Sequence, residues 1–312
     1  MSNKLDILVE KVQELMGREY EVVHRVVTKN NGIRKNAIAV RTKEMKIHPN
    51  IYIEDDDLDN YTIEVLASMV CEKFKEMEDQ SYTIDENKLE ITEDYVLDNV
   101  FMTTIGLHSN EQLLENVPHG VFLDMAVIFR VRIDILDNDY SGTFLVNNDL
   151  LKKMNIDKKE LFEAAKANTT VNDVQIIDIL QAFAMSEMFG LDVGVESLSV
   201  MTLENMKLNS YTPYAISNKE GRYGAVYMMN YVLMEQISKE LGGDFYILPS
   251  SIHGIIVIGI EDETDSEERH IDAIMHLKEM VIEVNKSEVP LEDVLTNTIY
   301  KYDSKKGEVV IA

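Results

Sequence analysis

The sequence contains no tryptophan and only one cysteine, Cys71. A lone thiol excludes an internal disulfide and any zinc site built from several cysteines, and it suits a reducing cytosol, so packing is its expected use. Glycine is equally unhelpful to nucleotide chemistry: there is neither a Walker sequence nor a Gly-x-Gly-x-x-Gly, which removes the commonest phosphate-cradling loops. No apolar run approaches the roughly 18 to 20 residues of a membrane helix. The first residues (Met1, Ser2, Asn3, Lys4, Asp6, Glu10) lack the apolar core of a signal peptide, so a cytoplasmic location with no membrane association is expected. Positive charge is the scarcest commodity, with 30 Lys and Arg against 56 Asp and Glu and a net charge of −26. Such a balance disfavours direct nucleic-acid binding, which depends on cations displacing counterions from phosphates.

What is present is ordinary for a folded protein. Hydrophobic residues make up 45% of the chain and charged residues 28%, far from the composition of disorder. A length of 312 residues suits one large domain or two ordinary ones. Two are expected, an N-terminal α+β region over residues 1–140 and a C-terminal one over 141–312. The charge is uneven. Sixteen acids stand between residues 51 and 100 against Lys73, Lys75 and Lys88, whereas Arg18, Arg25, Lys29, Arg34, Lys35 and Arg41 face only Glu19, Glu21 and Glu44. A basic ribbon on an acidic body is the implied arrangement.

Hydrophobic periodicity supplies the elements. Leu5, Leu8, Val9, Val12, Leu15 and Met16 predict a helix ending at Gly17. Tyr20–Val27 and Ile33–Arg41 predict a hairpin around Asn30-Asn31-Gly32, with a third short strand at Ile51–Ile53. A helix follows over 60–78, then a polar connection over 79–93 with a short helix after Thr92. Alternation from Val121 to Ile133 predicts one long half-buried strand. Further on, residues 143–146 predict a strand, Asn147 onward and Asp157–Ala167 paired helices, and 173–189 a buried helix closed by Gly190. The C-terminal part predicts strands at Tyr211–Ser217 and Tyr223–Met229 turning at Gly221, and a helix over 230–241 stopped by Gly242-Gly243. Strands Asp244–Leu248 and Ile252–Ile260 are joined through Pro249-Ser250-Ser251. An acidic loop over 261–268, a helix through Ile271–Ile282, a short helix opened by Pro290 and a hairpin at Lys305-Lys306-Gly307 complete the chain. Strand pairs interrupted by helices, without regular βαβ alternation, predict an α+β fold with mixed or antiparallel sheets and packed amphipathic helices. The turns at 28–32 and 217–221 echo one another, which duplication or common turn chemistry would explain.

Few constellations could carry chemistry. Ser251 and His253 juxtapose a hydroxyl and an imidazole and are the candidate catalytic residues. There is no Gly-x-Ser-x-Gly elbow, however, and the simpler expectation is that Ser250 and Ser251 satisfy turn backbone groups while His253 makes a structural hydrogen bond. Glu54, Asp55 and Asp57 are candidate cation ligands, but the run lacks calcium-loop spacing, and acids at a helix start are expected from capping. No histidine spacing forms a metal pattern, and no cofactor is expected. Arg25, Lys29, Arg34 and Lys35, together with Ser250, Ser251 and His253, are candidate binding positions; the alternative use of the basic ones is to neutralise residues 54–59. Seventeen methionines, Met228, Met229 and Met234 among them, suit either core filling or an adaptable surface.

The stretch Leu241-Gly242-Gly243-Asp244-Phe245-Tyr246-Ile247-Leu248-Pro249-Ser250-Ser251-Ile252-His253 resembles the signature of an uncharacterised bacterial family catalogued as domain of unknown function 5688. Thr28–Gly32, Pro49–Glu54, Val117-Pro118-His119, Leu161–Thr169, Ser217-Asn218 with Gly224-Ala225, and Val284-Asn285 through Tyr302-Asp303 resemble it too. The resemblance implies a protein of anaerobic gut-type bacteria, often encoded near mobile elements, and brings no activity, ligand or catalytic residue. Gly254 stands where the family pattern has an acid, which weakens a catalytic reading of that position. By elimination, the expected function is a binding or regulatory module acting through recognition of a protein partner. The alternatives are an acidic nucleic-acid mimic that inhibits a DNA-binding protein, and a hydrolase assembled from Ser251, His253 and a distant acid.

Overall fold

A computed structural model describes residues 2–41, 50–79, 91–134, 141–189, 199–260 and 267–312. The fold is α+β, and every strand pairing whose register is defined is antiparallel. Two compact units emerge, residues 1–95 with 132–143, and residues 96–131 with 144–312. Among the described residues no helix is long and apolar enough to cross a membrane.

Unit 1 is a helical layer on a three-stranded sheet. Helix α1 (Ser2–Met16) precedes β1 (Glu21–Thr28), β2 (Arg34–Arg41), β3 (Asn50–Ile53), α2 (Asp55–Asn60) and α3 (Ile63–Asp79), and the strand order is β1-β2-β3. Leu5, Leu8, Val12 and Met16 recur once per turn and are all buried, against Val22, Ile38, Val40, Ile51 and Ile53 of the sheet and Leu66, Val70 and Phe74 of α3. Cys71 joins this core, and burial pushes its thiol pKa up. Gly17 ends α1 with φ +89°, a conformation that costs glycine little. The Gln13 amide then fixes the exit: its Nε2 donates to the carbonyls of Gly17 (2.8 Å) and Tyr20 (2.9 Å), while its Oε1 accepts from the Val22 amide at 3.1 Å. Asn31 (φ 58°) and Gly32 (φ 69°) make the β1–β2 turn.

The chain continues through α4 (Glu93–Asn99), β4 (Val100–Gly106), α5 (Glu111–Leu114), β5 (Gly120–Phe122), β6 (Met125–Asp134), β7 (Ser141–Leu145), α6 (Asn148–Met154), α7 (Lys158–Asn168), β8 (Val174–Asp178) and α8 (Ile179–Phe189). There follow β9 (Val200–Met201), β10 (Tyr214–Asn218), a 3-10 segment Gly224–Met229, α9 (Tyr231–Leu241), β11 (Phe245–Ser251), β12 (Gly254–Gly259), α10 (Glu267–Ser287), β13 (Tyr300–Asp303) and β14 (Glu308–Ile311). One sheet is ordered β4-β6-β5 with β7 also on β6, and the other is β14-β13-β11-β12-β10-β8-β9. Alternation divides the larger sheet. Phe245, Ile247, Ile255, Val257, Ile216 and Ile176 enter the main core of unit 2, whereas Tyr246 and Leu248 pack with Val281 of α10 and Ile299.

Several expectations are corrected. The long strand over 121–133 is two strands, because Leu123 takes φ 55° and the chain reverses there, so that Phe122 pairs with Met125. Met125 to Phe129 are all buried, on both faces of the sheet. The helix over 173–189 is strand β8 followed by α8, and Leu180 and Phe183 are exposed instead of buried. Residues 224–229 form 3-10 turns rather than a strand, so the turn at 217–221 closes no hairpin and its echo of 28–32 ends there. Pro290 opens tight turns and no helix. Strands β4 and β9 and helices α2 and α5 went unforeseen. Most of the connection expected over 79–93 and of the acidic loop over 261–268 lies outside the described residues.

Candidate functional site

Three of the segments that resemble the family, 241–253, Ser217-Asn218 and Gly224-Ala225, come together at His253. The β11–β12 turn places His253 two residues beyond Ser251, which pairs with Gly254. The His253 carbonyl accepts from Ser217 Oγ at 2.6 Å and from the Gly224 amide at 3.0 Å. A Cβ on Gly224 would stand 2.7 Å from Ser217 Oγ and 2.8 Å from that carbonyl, so only glycine fits. Gly254 is similarly constrained, since a Cβ there would lie 2.9 Å from the Ile216 carbonyl.

The imidazole is committed at both nitrogens. Nδ1 accepts from the Tyr223 amide at 3.3 Å, which places the ring proton on Nε2, 3.4 Å from Asp293 Oδ2. The two side chains are 34% and 26% exposed, so solvent reaches the pair. A carboxylate therefore does stand beside His253, as a hydrolase would need. Ser251, by contrast, spends its Oγ accepting from the His253 backbone amide at 2.9 Å, and among the described side chains no hydroxyl is bonded to the ring. A triad needs the nucleophile on the nitrogen opposite the acid; here a backbone amide occupies it. Tyr223 itself sits at φ 61°, with its ring under Arg130 (5.0 Å to the centroid) and near Phe101 (5.8 Å) and His253 (5.7 Å). The arrangement is a locked corner. The side chain of Ser250 lies outside the described residues.

The basic hairpin is largely engaged at home. Lys35 pairs with Glu54 at 3.1 Å, Arg41 grips Glu21 through two bonds of 2.9 and 2.6 Å, and Lys29 lies 4.2 Å from the centre of the Tyr52 ring. Arg25 and Arg34 are exposed. Lys4 reaches Asp59 at 3.5 Å and the Leu58 carbonyl at 2.9 Å, so cations from α1 and β2 both meet the 54–59 segment. Asp57 Oδ2 accepts from the Glu54 amide at 2.9 Å, an N-terminal capping bond of α2, and Asp55 is exposed in the first turn of that helix. Among the described residues no group of three or more His, Cys, Asp or Glu is arranged to hold a metal. A groove of about 870 Å³ beside α6 and α7 includes Lys152, Asn155 and Asp157, but Asp157 is spent capping α7 through the Lys159 amide at 2.6 Å. Met228 and Met234 are core residues.

Sequence reasoning missed two carboxylates. Asp124, at the β5–β6 turn, accepts from Thr298 Oγ1 (2.7 Å), Thr296 Oγ1 (3.4 Å) and the Tyr300 hydroxyl. Burial, together with Asp124, pushes the Tyr300 phenol pKa far above its ordinary value. Asp244 accepts from Lys301 Nζ (2.6 Å) and from Ser304 N and Oγ (2.9 and 2.6 Å). Burial alone would raise its pKa, yet these bonds outweigh it and hold the carboxyl at about 2. Alternation across residues 121–133 hid Asp124, although an acid interrupting an apolar strand was the available signal.

The helical layer of unit 1 displays its acids in order. Asp6, Glu10 and Glu14 recur every fourth residue on α1, and Glu72 and Glu76 do so on α3, following Glu64. All six are exposed, as are Asp55, Asp56 and Asp59 of α2. Val65 and Met69, each 45% exposed, stand one turn apart on the outward side of α3. Lys11 lies beside Glu14 at 2.7 Å.

One protein family, a family of unknown function (DUF5688), matches residues 4–304 of the chain. No curated protein and no solved structure matches it.

Proposed function

This chain belongs to the family of unknown function DUF5688, and we propose that it acts as a binding or regulatory module through recognition of a basic protein. The observation that carries this reading is the helical layer of unit 1, where α1, α2 and α3 all expose carboxylates and α3 exposes the apolar pair Val65 and Met69 as well. Acids alone give a partner long-range attraction and a fast approach; apolar side chains among them give it something to bury. The commitment of both His253 nitrogens supports a corner that shapes unit 2 rather than one that transfers protons.

The spacing favours a second reading within the same class. Four residues of helix rise about 6 Å, so Asp6, Glu10 and Glu14 form a regular row of charge, the pattern a protein built for a phosphate backbone is equipped to hold. On this reading the partner is a DNA-binding protein and the acidic layer stands in for nucleic acid.

Affinity capture from a nuclease-treated bacterial lysate tests both, with the full chain and a Glu10→Gln, Glu14→Gln, Glu72→Gln, Glu76→Gln variant as paired baits. Basic proteins retained by the first bait and lost by the second are the expected result. Elution by added duplex DNA separates the mimic from a plain protein-recognition module. Equal retention by both baits would remove the acidic layer from the function.

A further inference from the structure

Helix α3 buries one side, through Leu66, Val70 and Phe74, and leaves another bare. Along the bare side Val65, Met69, Glu72 and Glu76 follow at intervals of four, three and four residues. That spacing keeps side chains in one line along a helix, and it is the line a second helix meets when two pack side by side. All four residues are exposed, Val65 and Met69 by 45% each, and Lys73 and Lys75 fall to either side of the line. The line is divided, apolar over its first half and acidic over its second. This division restricts what can lie along it. A second copy of α3, set antiparallel, either opposes Val65 to Glu76 and Met69 to Glu72, or joins the apolar pairs and leaves both acids past the end of the other helix. Set parallel in register, it stacks carboxylate on carboxylate.

We propose that α3 docks a helix of a basic partner protein, which lays two successive apolar side chains over Val65 and Met69 and two Lys or Arg side chains over Glu72 and Glu76. The inference rests on reading the acidic layer as a recognition surface, and within that layer it selects α3. Charge complementarity identifies the occupant: the two carboxylates call for cations in line with the apolar residues, and the net charge of −26 favours the approach of a basic protein and opposes that of another copy. The strip also reads order as well as composition. Turning the docked helix end for end sets its apolar side chains over carboxylates and its cations over Val65 and Met69, which leaves desolvated charge without a partner. The row Asp6, Glu10 and Glu14 on α1 then supplies long-range attraction, while α3 supplies the contact. Four seam positions make a small interface, so the complex is a transient one.

Binding of synthetic peptides to the full chain tests it, with fluorescence anisotropy for affinity and circular dichroism for helix gained on binding. One peptide carries leucine, leucine, lysine and lysine at spacings of four, three and four; the second carries the reverse order, and the third has leucine and lysine alternating at the same positions. The first or the second is expected to bind about tenfold tighter than the third and to gain helix, because only an ordered peptide buries both apolar residues without stranding a charge. Val65→Ser with Met69→Ser is expected to weaken that binding about tenfold and keep its salt dependence, whereas Glu72→Gln with Glu76→Gln removes most of the salt dependence. Three peptides bound alike, no peptide bound, binding without helix gained, or a serine variant as tight as the wild type overturns the proposal. So does a full chain that sediments at twice the monomer mass without peptide and at the monomer mass once the serines are introduced, which would make a second copy the occupant. The serine variant as bait in a lysate separates this inference from the reading it rests on. If it retains the same basic proteins as the wild type while the four-glutamine variant loses them, the acidic layer keeps its role and docking on α3 fails.

Discussion

Units 1 and 2 are stabilised over different distances along the chain. In unit 1 the bonds reach less far: Gln13 spans four, seven and nine residues, Arg41 reaches Glu21 across 20, and Lys4 reaches Leu58 and Asp59 across 54 and 55. In unit 2 Asp124 meets Thr296, Thr298 and Tyr300 across 172 to 176 residues, and His253 meets Asp293 across 40 positions of the numbering. Unit 1 holds its shape by amphipathic periodicity with a few local locks. Unit 2 depends on polar side chains whose partners are chosen only when the chain closes, and a long loop must be ordered before such a bond contributes anything.

The most damaging test of that contrast is Asp124→Ala. It strands the buried Tyr300 hydroxyl and the Thr298 hydroxyl together, at an expected loss of about 3 kcal/mol. Hydrogen exchange should show protection falling across β13 and β11 while α1 and β2 keep theirs; equal loss in α1 would mean that the two units unfold as one. Leu8→Ala makes the converse cut, since Leu8 is fully buried and the change costs about 2 to 5 kcal/mol. Here the loss of protection should be confined to α1, α3 and the β1–β3 sheet. A smaller effect comes from Asp244. Its pKa is lowered from 3.8 to about 2, so the carboxylate contributes stability above its unfolded value, and that contribution disappears as pH falls from about 4 towards 2. Between neutral pH and pH 2, Asp244→Asn should therefore flatten the acid side of the unfolding profile by about 1 to 2 kcal/mol relative to wild type. The smallest change is Lys35→Met. The Lys35–Glu54 pair is partly exposed and worth under about 1 kcal/mol, so denaturant midpoints should barely move. A large shift would show that the basic hairpin stabilises unit 1 rather than offering a surface.

The same difference in range explains what could be read in advance. Helix α1, the β1–β2 hairpin with its Asn-Asn-Gly turn, β3 and α3 follow from period and turn chemistry within a few residues of each other, and they stand as expected. In unit 2 the local signals competed. The apolar run 173–189 fits a buried helix, but Val174 to Asp178 are taken by the larger sheet because β10 offers a pairing edge to that segment. Val121 to Ile133 alternates like one strand, yet Asp124 turns back to meet hydroxyls nearly the whole chain away. Tyr223 to Met229 has strand-like composition, but Gly224 is pressed against Ser217 and the His253 carbonyl, where 3-10 turns fit and a strand does not. The candidate residues fared likewise. Ser251 and His253 are close, as their spacing demands, but which atom of each is free is decided by Tyr223 and Asp293.

By itself the sequence determined the α+β class, the amphipathic helices, the strand-and-turn plan of unit 1, the net charge and its segregation, and the family, because each of these is written in composition or in neighbours a few positions apart. The tertiary structure alone decided that the β5–β6 segment doubles back, that the His253 ring is held between a backbone amide and Asp293, that Asp124 gathers three hydroxyls, and that β1 lies at the end of its sheet. Those outcomes depend on which strand pairs with which, and the energy that selects among pairings comes from contacts between residues that lie far apart along the chain.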